Sequence, residues 1–233
     1  LSIIDKLDTL VGFFLINEKP TSSKDPFALR RSAIGLLRTI IENNLTVGLR
    51  DLIDYLIRFY TEQGVKDVNK NTHLELINFF RDRMRNIFKE KRIRPDIIEA
   101  SLSSHINDNF LELYKKTLVM NKFISKDLGK NAVSTYKRAY NIIDREKNIS
   151  KSGPDAVLFK QDEEKELFDK INDIRKAFTY KERKESYENH LKLLSDAKLS
   201  TDKFFDNVKV NDENNDIKNN RLELLQRLCS TFN

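Results

Sequence analysis

The arginines and lysines that follow residue 79 have a spacing that suits phosphate binding. Residues 79–85 read Phe-Phe-Arg-Asp-Arg-Met-Arg. In a helix, Arg81, Arg85 and Lys89 lie on one face because each is four residues from the next, with a step of about 6 Å. Such a ladder of long cations favours contact with nucleic-acid phosphates. The alternative is an ordinary solvated helix face. Arg83 is expected to flank the apolar stripe, tied to an acid.

A second basic stretch covers residues 24–33, Lys-Asp-Pro-Phe-Ala-Leu-Arg-Arg-Ser-Ala. Asp25 and Pro26 predict a helix start, since Asp caps free N–H groups and Pro fits the first helical position. The end of such a helix, together with Arg30 and the adjacent Arg31, can hold a phosphate. The alternative is that both arginines pair with acids of a neighbouring helix.

A third basic stretch, residues 136–142, reads Tyr-Lys-Arg-Ala-Tyr-Asn-Ile. Lys137, Arg138 and Asn141 supply groups for phosphate and base contacts. Tyr136 or Tyr140 has a ring on which an unpaired base can stack. The alternative is a core helix in which Tyr140 is simply packed.

The distribution of charge supports a polyanion partner. The chain has 233 residues and a net charge of +6. Residues 71–150 hold 16 Lys and Arg against 10 Asp and Glu, while the flanking parts are nearly balanced. A localised basic excess is typical of proteins that bind polyanions.

Several kinds of catalytic site find no support in the sequence. Six scattered glycines form no phosphate-binding loop or dinucleotide fingerprint. His73, His105 and His190 lack the spacing of metal ligands, and Cys229 is the single cysteine. No apolar run approaches the roughly 18 residues of a membrane span. We therefore expect no catalytic residue, no metal and no cofactor in this chain.

Apolar residues recur at helical spacing throughout, which predicts an all-α chain built as helical bundles. Thr72 and Glu75 have the spacing of a capping box, which predicts a helix start. A polar segment at residues 64–71 predicts the boundary between two helical units. The expected helices cover residues 2–16, 26–44, 51–63, 72–91, 95–101, 110–121, 131–147, 163–178, 181–194, 200–208 and 217–228.

The chain resembles the beta subunits of bacterial tetrameric glycyl-tRNA synthetases. The resemblance rests on strings that occur in the same order as in that family. They are residues 5–12 (DKLDTLVG), 24–33 (KDPFALRRSA), 79–85 (FFRDRMR), 137–142 (KRAYNI), 204–210 (FFDNVKV) and 220–225 (NRLELL). The match covers essentially the whole chain and would place it as the C-terminal third of such a subunit.

The resemblance implies two domains and a task. Residues 1–68 would be the end of an HD-like helical domain, and residues 72–233 a DALR-type anticodon-binding domain. In HD hydrolases a late Asp binds metal with an upstream His and a His-Asp pair. Asp5 or Asp8 would take that late position, but the partner residues are not in this chain. The implied task is to hold tRNA for glycine.

The resemblance also implies partners. The alpha subunit of a tetramer of two alpha and two beta subunits would activate glycine with ATP and Mg²⁺. The chain would thus be part of a cytoplasmic ligase without itself being catalytic or binding a membrane. The implied anticodons share two cytosines, whose amino groups need an acceptor. The candidates are Asp82, Asn86, Asn141 and Asp144.

Two other functions stay open. One is a helical scaffold that only joins subunits, and the other is a residual HD-type phosphohydrolase in the first 70 residues. The expected RNA-contacting side chains are Arg30, Arg31, Arg81, Arg85, Lys89, Lys137, Arg138 and Asn141.

Overall fold

A computed structural model describes residues 2–21, 23–66, 68–103, 108–146, 149, 152–181 and 187–232. These residues contain eleven α-helices, one short 3-10 turn and no strand, which confirms the all-α prediction. His105, the end of the helix expected at 131–147, and the start of the helix expected at 181–194 lie outside the described residues, as does the side chain of His190.

The chain divides into two compact units, residues 1–121 and residues 122–233. The helices up to the boundary are α1 (Ser2–Leu15), α2 (Leu29–Glu42), α3 (Leu49–Glu62), α4 (Thr72–Glu90), α5 (Pro95–Ser103) and α6 (Phe110–Ile124), the last of which runs past Asn121. The later elements are α7 (Asp127–Ile143), the 3-10 turn (Ala156–Leu158), α8 (Asp162–Lys181), α9 (Tyr187–Ser195), α10 (Lys198–Asn207) and α11 (Asn215–Thr231).

The compact units divide at residues 121 and 122 and not at the predicted 64–72, because α4 packs into the core of the first unit. Helix α4 packs on α1, α2 and α3. Its Phe80 and Met84 are fully buried, and the Phe79 ring lies 5.1 Å from that of Phe14. The backbone N–H of Asn69 donates to Leu15 O at 2.9 Å, which ties the polar segment back to α1.

Two helix starts differ from the sequence prediction in their first residue or in their capping hydrogen bonds. Helix α2 begins at Leu29, because Ala28 has a left-handed φ of 53°. Asp25 still caps it, accepting the N–H groups of Leu29 at 2.8 Å and Arg30 at 3.0 Å. At the start of α4, the capping box predicted from Thr72 and Glu75 does not form. Glu75 instead accepts from Asn69 Nδ2 at 2.7 Å and pairs with Lys19 at 2.6 Å. These contacts, led by the bond to Lys19, lower the pKa of Glu75.

The second unit is a bundle in which α10 and α11 each pack on both α7 and α8. Its buried core is apolar and includes the small side chain of Ala139 on α7. The core residues are Ala139, Leu167, Ile171, Ile174, Ala197, Phe204, Val208, Leu224, Leu225, Leu228 and Cys229.

One ion pair is buried at the edge of this core. Arg221 Nε lies 2.8 Å from Glu164 Oε1, and the two side chains are 4% and 0% exposed. The other carboxylate oxygen of Glu164 accepts the N–H groups of Lys160 and Gln161 at 2.7 and 2.9 Å. Arg221 Nη1 donates to Lys209 O and to Asp212, both at 2.8 Å. The pair therefore joins α8, α11 and the loop between α10 and α11.

The thiol of Cys229 is buried, and burial raises its pKa to about 11. An unfolded thiol has a pKa of about 8.5. At pH 8 the folded thiol is therefore protonated and shielded, and only opening of the second unit yields a reactive thiolate. We expect Ellman's reagent to label the folded chain far more slowly than the urea-unfolded chain. Stability from this group is present below about pH 8.5 and is lost as pH rises towards 11. Equal labelling rates in both states would contradict the burial.

Replacing Arg221 by Met should destabilise the second unit. The change leaves the Glu164 charge buried without its partner, which costs about 3–5 kcal/mol. Urea unfolding, followed by labelling of the single Cys229, measures this unit directly. The matched control is Lys203→Met, which breaks the exposed pair with Glu166 at 2.9 Å and should cost at most about 1 kcal/mol. Equal midpoints for the two variants would contradict the role of the buried pair.

Candidate nucleic-acid interface

The three members of the basic ladder on α4, Arg81, Arg85 and Lys89, differ in the groups that surround them. Arg85 Nε and Nη2 donate to the two oxygens of Glu99 at 2.9 and 3.1 Å, and Nη1 donates to Asp82 at 2.7 Å. The bond to Glu99 is the main cause that raises the pKa of Arg85. Two carboxylates offset its charge, so Arg85 is the member of the ladder least suited to a phosphate. Asp82, a proposed acceptor for cytosine, is occupied by the same contact.

The other two predicted members of the ladder form no ion pair in the described part of the chain. Among the described residues, neither Arg81 nor Lys89 has a hydrogen bond or ion pair, and Lys89 is exposed. Arg81 is half-buried, with its Nε fully shielded. Both keep a positive charge to offer to a ligand.

Arg83 is a basic residue that was not among the expected RNA-contacting side chains. Its guanidinium lies 4.3 Å from the centroid of the Phe79 ring, and its Nε is buried without a hydrogen-bond partner in the described part of the chain. The expected acid pairing is therefore wrong. Burial is the main cause that lowers the pKa of Arg83, and nearby Arg30 adds to it. The i, i+4 spacing of Phe79 and Arg83 was the only sequence signal for this cation–π contact.

In the basic stretch at the start of α2, Arg30 contacts the loop that precedes the helix. Arg30 donates to Thr21 O, and its Nη1 lies 4.0 Å from Asp25. Arg31 is exposed and has no ion pair among the described residues. The expected alternative, pairing with acids of a neighbouring helix, holds for neither. Arg30, Arg83 and the start of α2 together form a basic corner of the first unit.

In the second unit, α7 exposes Lys137, Arg138 and Asn141. Arg138 lies 3.8 Å from Asp202 and 3.7 Å from Asp206, with its guanidinium 4.3 Å from the Phe205 ring centroid. Exposed pairs at such distances are weak, so Arg138 can exchange them for a phosphate. Lys137 has no ion pair in the described part of the chain.

Two tyrosines complete the α7 surface. The rings of Tyr136 and Tyr140 stack with centroids 5.6 Å apart, and Tyr136 also packs on Phe232. Tyr140 is 43% exposed, so it is supported on one side by Tyr136 while much of its surface stays open. Asn141 is the next residue, and Asp144 is exposed one turn later. Cations, an exposed ring and amide or carboxylate acceptors thus lie on one short segment.

The expected RNA-contacting residues of α4 and α7 fall on different units of the chain. Arg81, Arg85 and Lys89 are on α4 of the first unit, whereas Lys137 and Arg138 are on α7 of the second. The candidates therefore form two surfaces, each on its own unit. The physical reason is that α4 packs on α1 and α2 through its apolar stripe, so its basic residues belong to the first unit.

The described residues hold no group of three His, Cys, Asp or Glu side chains that could bind a metal ion. Asp8, one of the two carboxylates considered for an HD-type site, accepts the Tyr60 hydroxyl at 2.9 Å. His73 Nδ1 lies 2.6 Å from Asp54 Oδ1, at the contact of α3 and α4. Within the same residues, no helix is long and apolar enough to cross a membrane.

Comparisons with known proteins cover both units. Residues 1–103 match the family described as "Glycyl-tRNA synthetase beta subunit". Residues 132–233 match the "DALR anticodon binding domain". The "Glycine--tRNA ligase beta subunit" of Rickettsia africae is 38% identical over 232 residues, and that of Rickettsia prowazekii is 36% identical over 233. Each alignment covers 100% of this chain and 33% of the relative, so the chain spans about a third of the relatives' length.

Proposed function

Because the chain belongs to the family of glycyl-tRNA synthetase beta subunits, we propose that its second unit binds the anticodon arm of tRNA for glycine. The α7 surface carries this proposal. It combines phosphate-binding cations with an exposed tyrosine ring, which is how proteins recognise unpaired RNA bases. The match of residues 132–233 to an anticodon-binding domain supports the same assignment.

Each group on α7 has a task that fits its chemistry. Lys137 and Arg138 contact phosphates, and an anticodon base stacks on Tyr140. The amide oxygen of Asn141 or the carboxylate of Asp144 accepts a hydrogen bond from a cytosine amino group. The amide can also offer a donor, so it suits a base edge with mixed groups better than the carboxylate does.

The first unit contributes a phosphate contact away from the anticodon. We assign it to Arg30, Arg31, Arg81 and Lys89, with Arg83 added to the set. Arg85 belongs to the fold of the first unit, where it joins α4 to Glu99 of α5.

The chain acts as part of a larger ligase. An alpha subunit, in a cytoplasmic assembly of two alpha and two beta subunits, supplies glycine activation with ATP and Mg²⁺. This chain brings the tRNA to that site. The carboxylates and histidines described above give an HD-type phosphohydrolase no comparable support.

A scaffold role has one specific observation in its favour. On α3 the side chains of Tyr55 and Phe59 are 59% and 43% exposed, and they line a shallow cavity of about 290 Å³ with Arg58 and Glu62. Exposed aromatic residues in a row are typical of protein contacts. We infer that α3 is the place where a protein subunit would dock, beside the RNA-binding role of the other surfaces.

Salt-dependent titration of the chain with tRNA for glycine tests the proposal. Binding should weaken steeply with salt because phosphate contacts release counterions. Lys137→Gln should weaken cognate and non-cognate tRNA equally and flatten the salt slope by about one unit. Lys165→Gln is the matched control, an exposed lysine on α8. No binding at low salt would overturn the proposed function.

Replacing Tyr140 by Leu should remove the base stack. The expected loss is about 1–3 kcal/mol of binding free energy, whereas Tyr140→Phe keeps the ring and should bind nearly as well as the parent chain. Asn141→Ala should cost about 1–3 kcal/mol on tRNA for glycine and little on a tRNA without the two cytosines. An equal loss on both tRNAs would assign Asn141 to the RNA backbone.

The chain on its own should not activate glycine. The expected rate of glycine-dependent ATP–pyrophosphate exchange is zero, because no phosphate loop or nucleophile setting occurs in the sequence. Addition of the alpha subunit with a complete beta subunit serves as the positive control. Exchange by the purified chain alone would contradict this assignment.

A further inference from the structure

Asp206 on α10 carries an exposed carboxylate whose acceptor sites are unused. Its side chain is 69% exposed, and its Oδ1 lies 3.7 Å from Arg138 Nη2. That distance is too long for a hydrogen bond, so the described part of the chain gives Asp206 an ion pair but no hydrogen bond. Asp202, one turn earlier, differs because it also pairs with Lys198. The acceptor sites of Asp206 are therefore open to a ligand.

The position of Asp206 in its helix does not explain the carboxylate. Helix α10 covers Lys198–Asn207, so Asp206 lies in its last turn. The helix dipole places a partial negative charge at that end, which disfavours an acidic side chain. Arg138 offsets this only through an exposed ion pair, and such pairs contribute little to stability. A role in binding accounts for Asp206 better than a role in the folding of α10.

The guanidinium beside Asp206 is positioned by contacts between α7 and α10, which pack on each other. The guanidinium carbon of Arg138 lies 4.3 Å from the centroid of the Phe205 ring. Its Nη1 is 3.8 Å from Asp202 Oδ1, again too far for a hydrogen bond. Asn141 is exposed on α7 three residues after Arg138, so the two are neighbours on the helix surface. A donor fork and an unused acceptor thus lie side by side, next to the amide of Asn141.

This order of groups matches the edge of one base. The Watson–Crick edge of cytosine presents the N4 amino donor next to the N3 and O2 acceptors, whereas uracil presents an O4 acceptor next to an N3–H donor. A carboxylate beside a guanidinium complements cytosine at both points and is mismatched to uracil at both. An amide such as that of Asn141 can turn to face either edge, so it discriminates poorly between the two bases.

We propose that Asp206, with Arg138 beside it, reads one cytosine of the anticodon. The carboxylate accepts a hydrogen bond from the N4 amino group, and one edge of the guanidinium donates to N3 or O2. Arg138 has five N–H donors, so its other edge can contact a phosphate. The site rests on the proposed function and deepens it, because it supplies the discrimination between cytosine and uracil. Asn141 is left for the second cytosine.

The test titrates the chain with tRNA for glycine and with the same tRNA carrying uridine in place of each anticodon cytosine in turn. At the position that Asp206 reads, the parent chain should prefer cytosine by about 5–150-fold, the range for a bidentate contact. In Asp206→Asn the amide can turn to accept or to donate, so this preference should disappear. Asp169→Asn removes an equal charge from an exposed position on α8 and should keep the preference.

The outcomes separate this site from the proposed function. Full preference at both cytosines in Asp206→Asn would overturn the site and leave the proposed function intact. Tighter binding of every tRNA form by the same factor would also overturn the site, since the carboxylate would then only compete with phosphates for Arg138. No tRNA binding by the parent chain, or no preference at either cytosine, would overturn the proposed function itself.

Thermal unfolding separates base reading from folding. Asp206→Asn should melt at or above the temperature of the parent chain, because it removes a negative charge from the last turn of α10. A second variant, Asp206→Ala, removes both the bond to cytosine and the mismatch with uracil, and it should also abolish the preference. A lower melting temperature together with an unchanged preference in both variants would assign Asp206 to the fold of α10 and overturn the site.

Discussion

The buried pair of Arg221 and Glu164 is the constraint on which the second unit depends. Two charges removed from water must each find partners for all their donors and acceptors, or the unit is unstable. Glu164 meets this requirement by capping its own helix through Lys160 and Gln161 N–H. Arg221 meets it by binding Lys209 O and Asp212 in the loop before α11. The need to satisfy one ion pair thus fixes the start of α8, the direction of α11 and the loop between α10 and α11.

The surfaces of the second unit follow from that arrangement. Asn220, next to Arg221, holds the backbone of Asp155 through two hydrogen bonds, at 2.7 and 3.0 Å. These bonds fix the loop that carries Gly153 against α11. Helix α11 in turn packs on α7, where Tyr136 rests on Phe232 and supports Tyr140. The exposed cations and the exposed ring therefore stand on a helix that packs on α11, and little ordering is left to be done when a ligand binds there.

The sequence predicted the helices well because helical periodicity and breakers are local signals. It predicted partners for the arginines poorly because these depend on distant residues. Glu99, fourteen positions away on another helix, neutralises Arg85. The i, i+4, i+8 spacing of the ladder does not indicate this contact. Arg83 was expected to pair with an acid, yet it packs on Phe79. The compact units divide after the predicted 64–72 for a similar reason, since a polar segment such as residues 64–71 can be tied to α1 by backbone bonds that carry no sequence signature.

The strings that carry the family resemblance do not all report on the same property. Residues 220–225 include Asn220, Arg221 and Glu223, all buried, and their polar atoms hold the loops of the second unit together. Their resemblance to the family therefore speaks for a shared fold. Residues 137–142, in contrast, expose Lys137, Arg138, Tyr140 and Asn141. Their contacts within the unit are the exposed pairs of Arg138 and the stacking of Tyr140 on Tyr136. Exposed residues of this kind contribute little to stability, and ligand-binding residues are commonly of this exposed kind. On this argument the exposed string of α7 bears on the proposed contact with RNA, whereas the buried string of α11 bears on the fold.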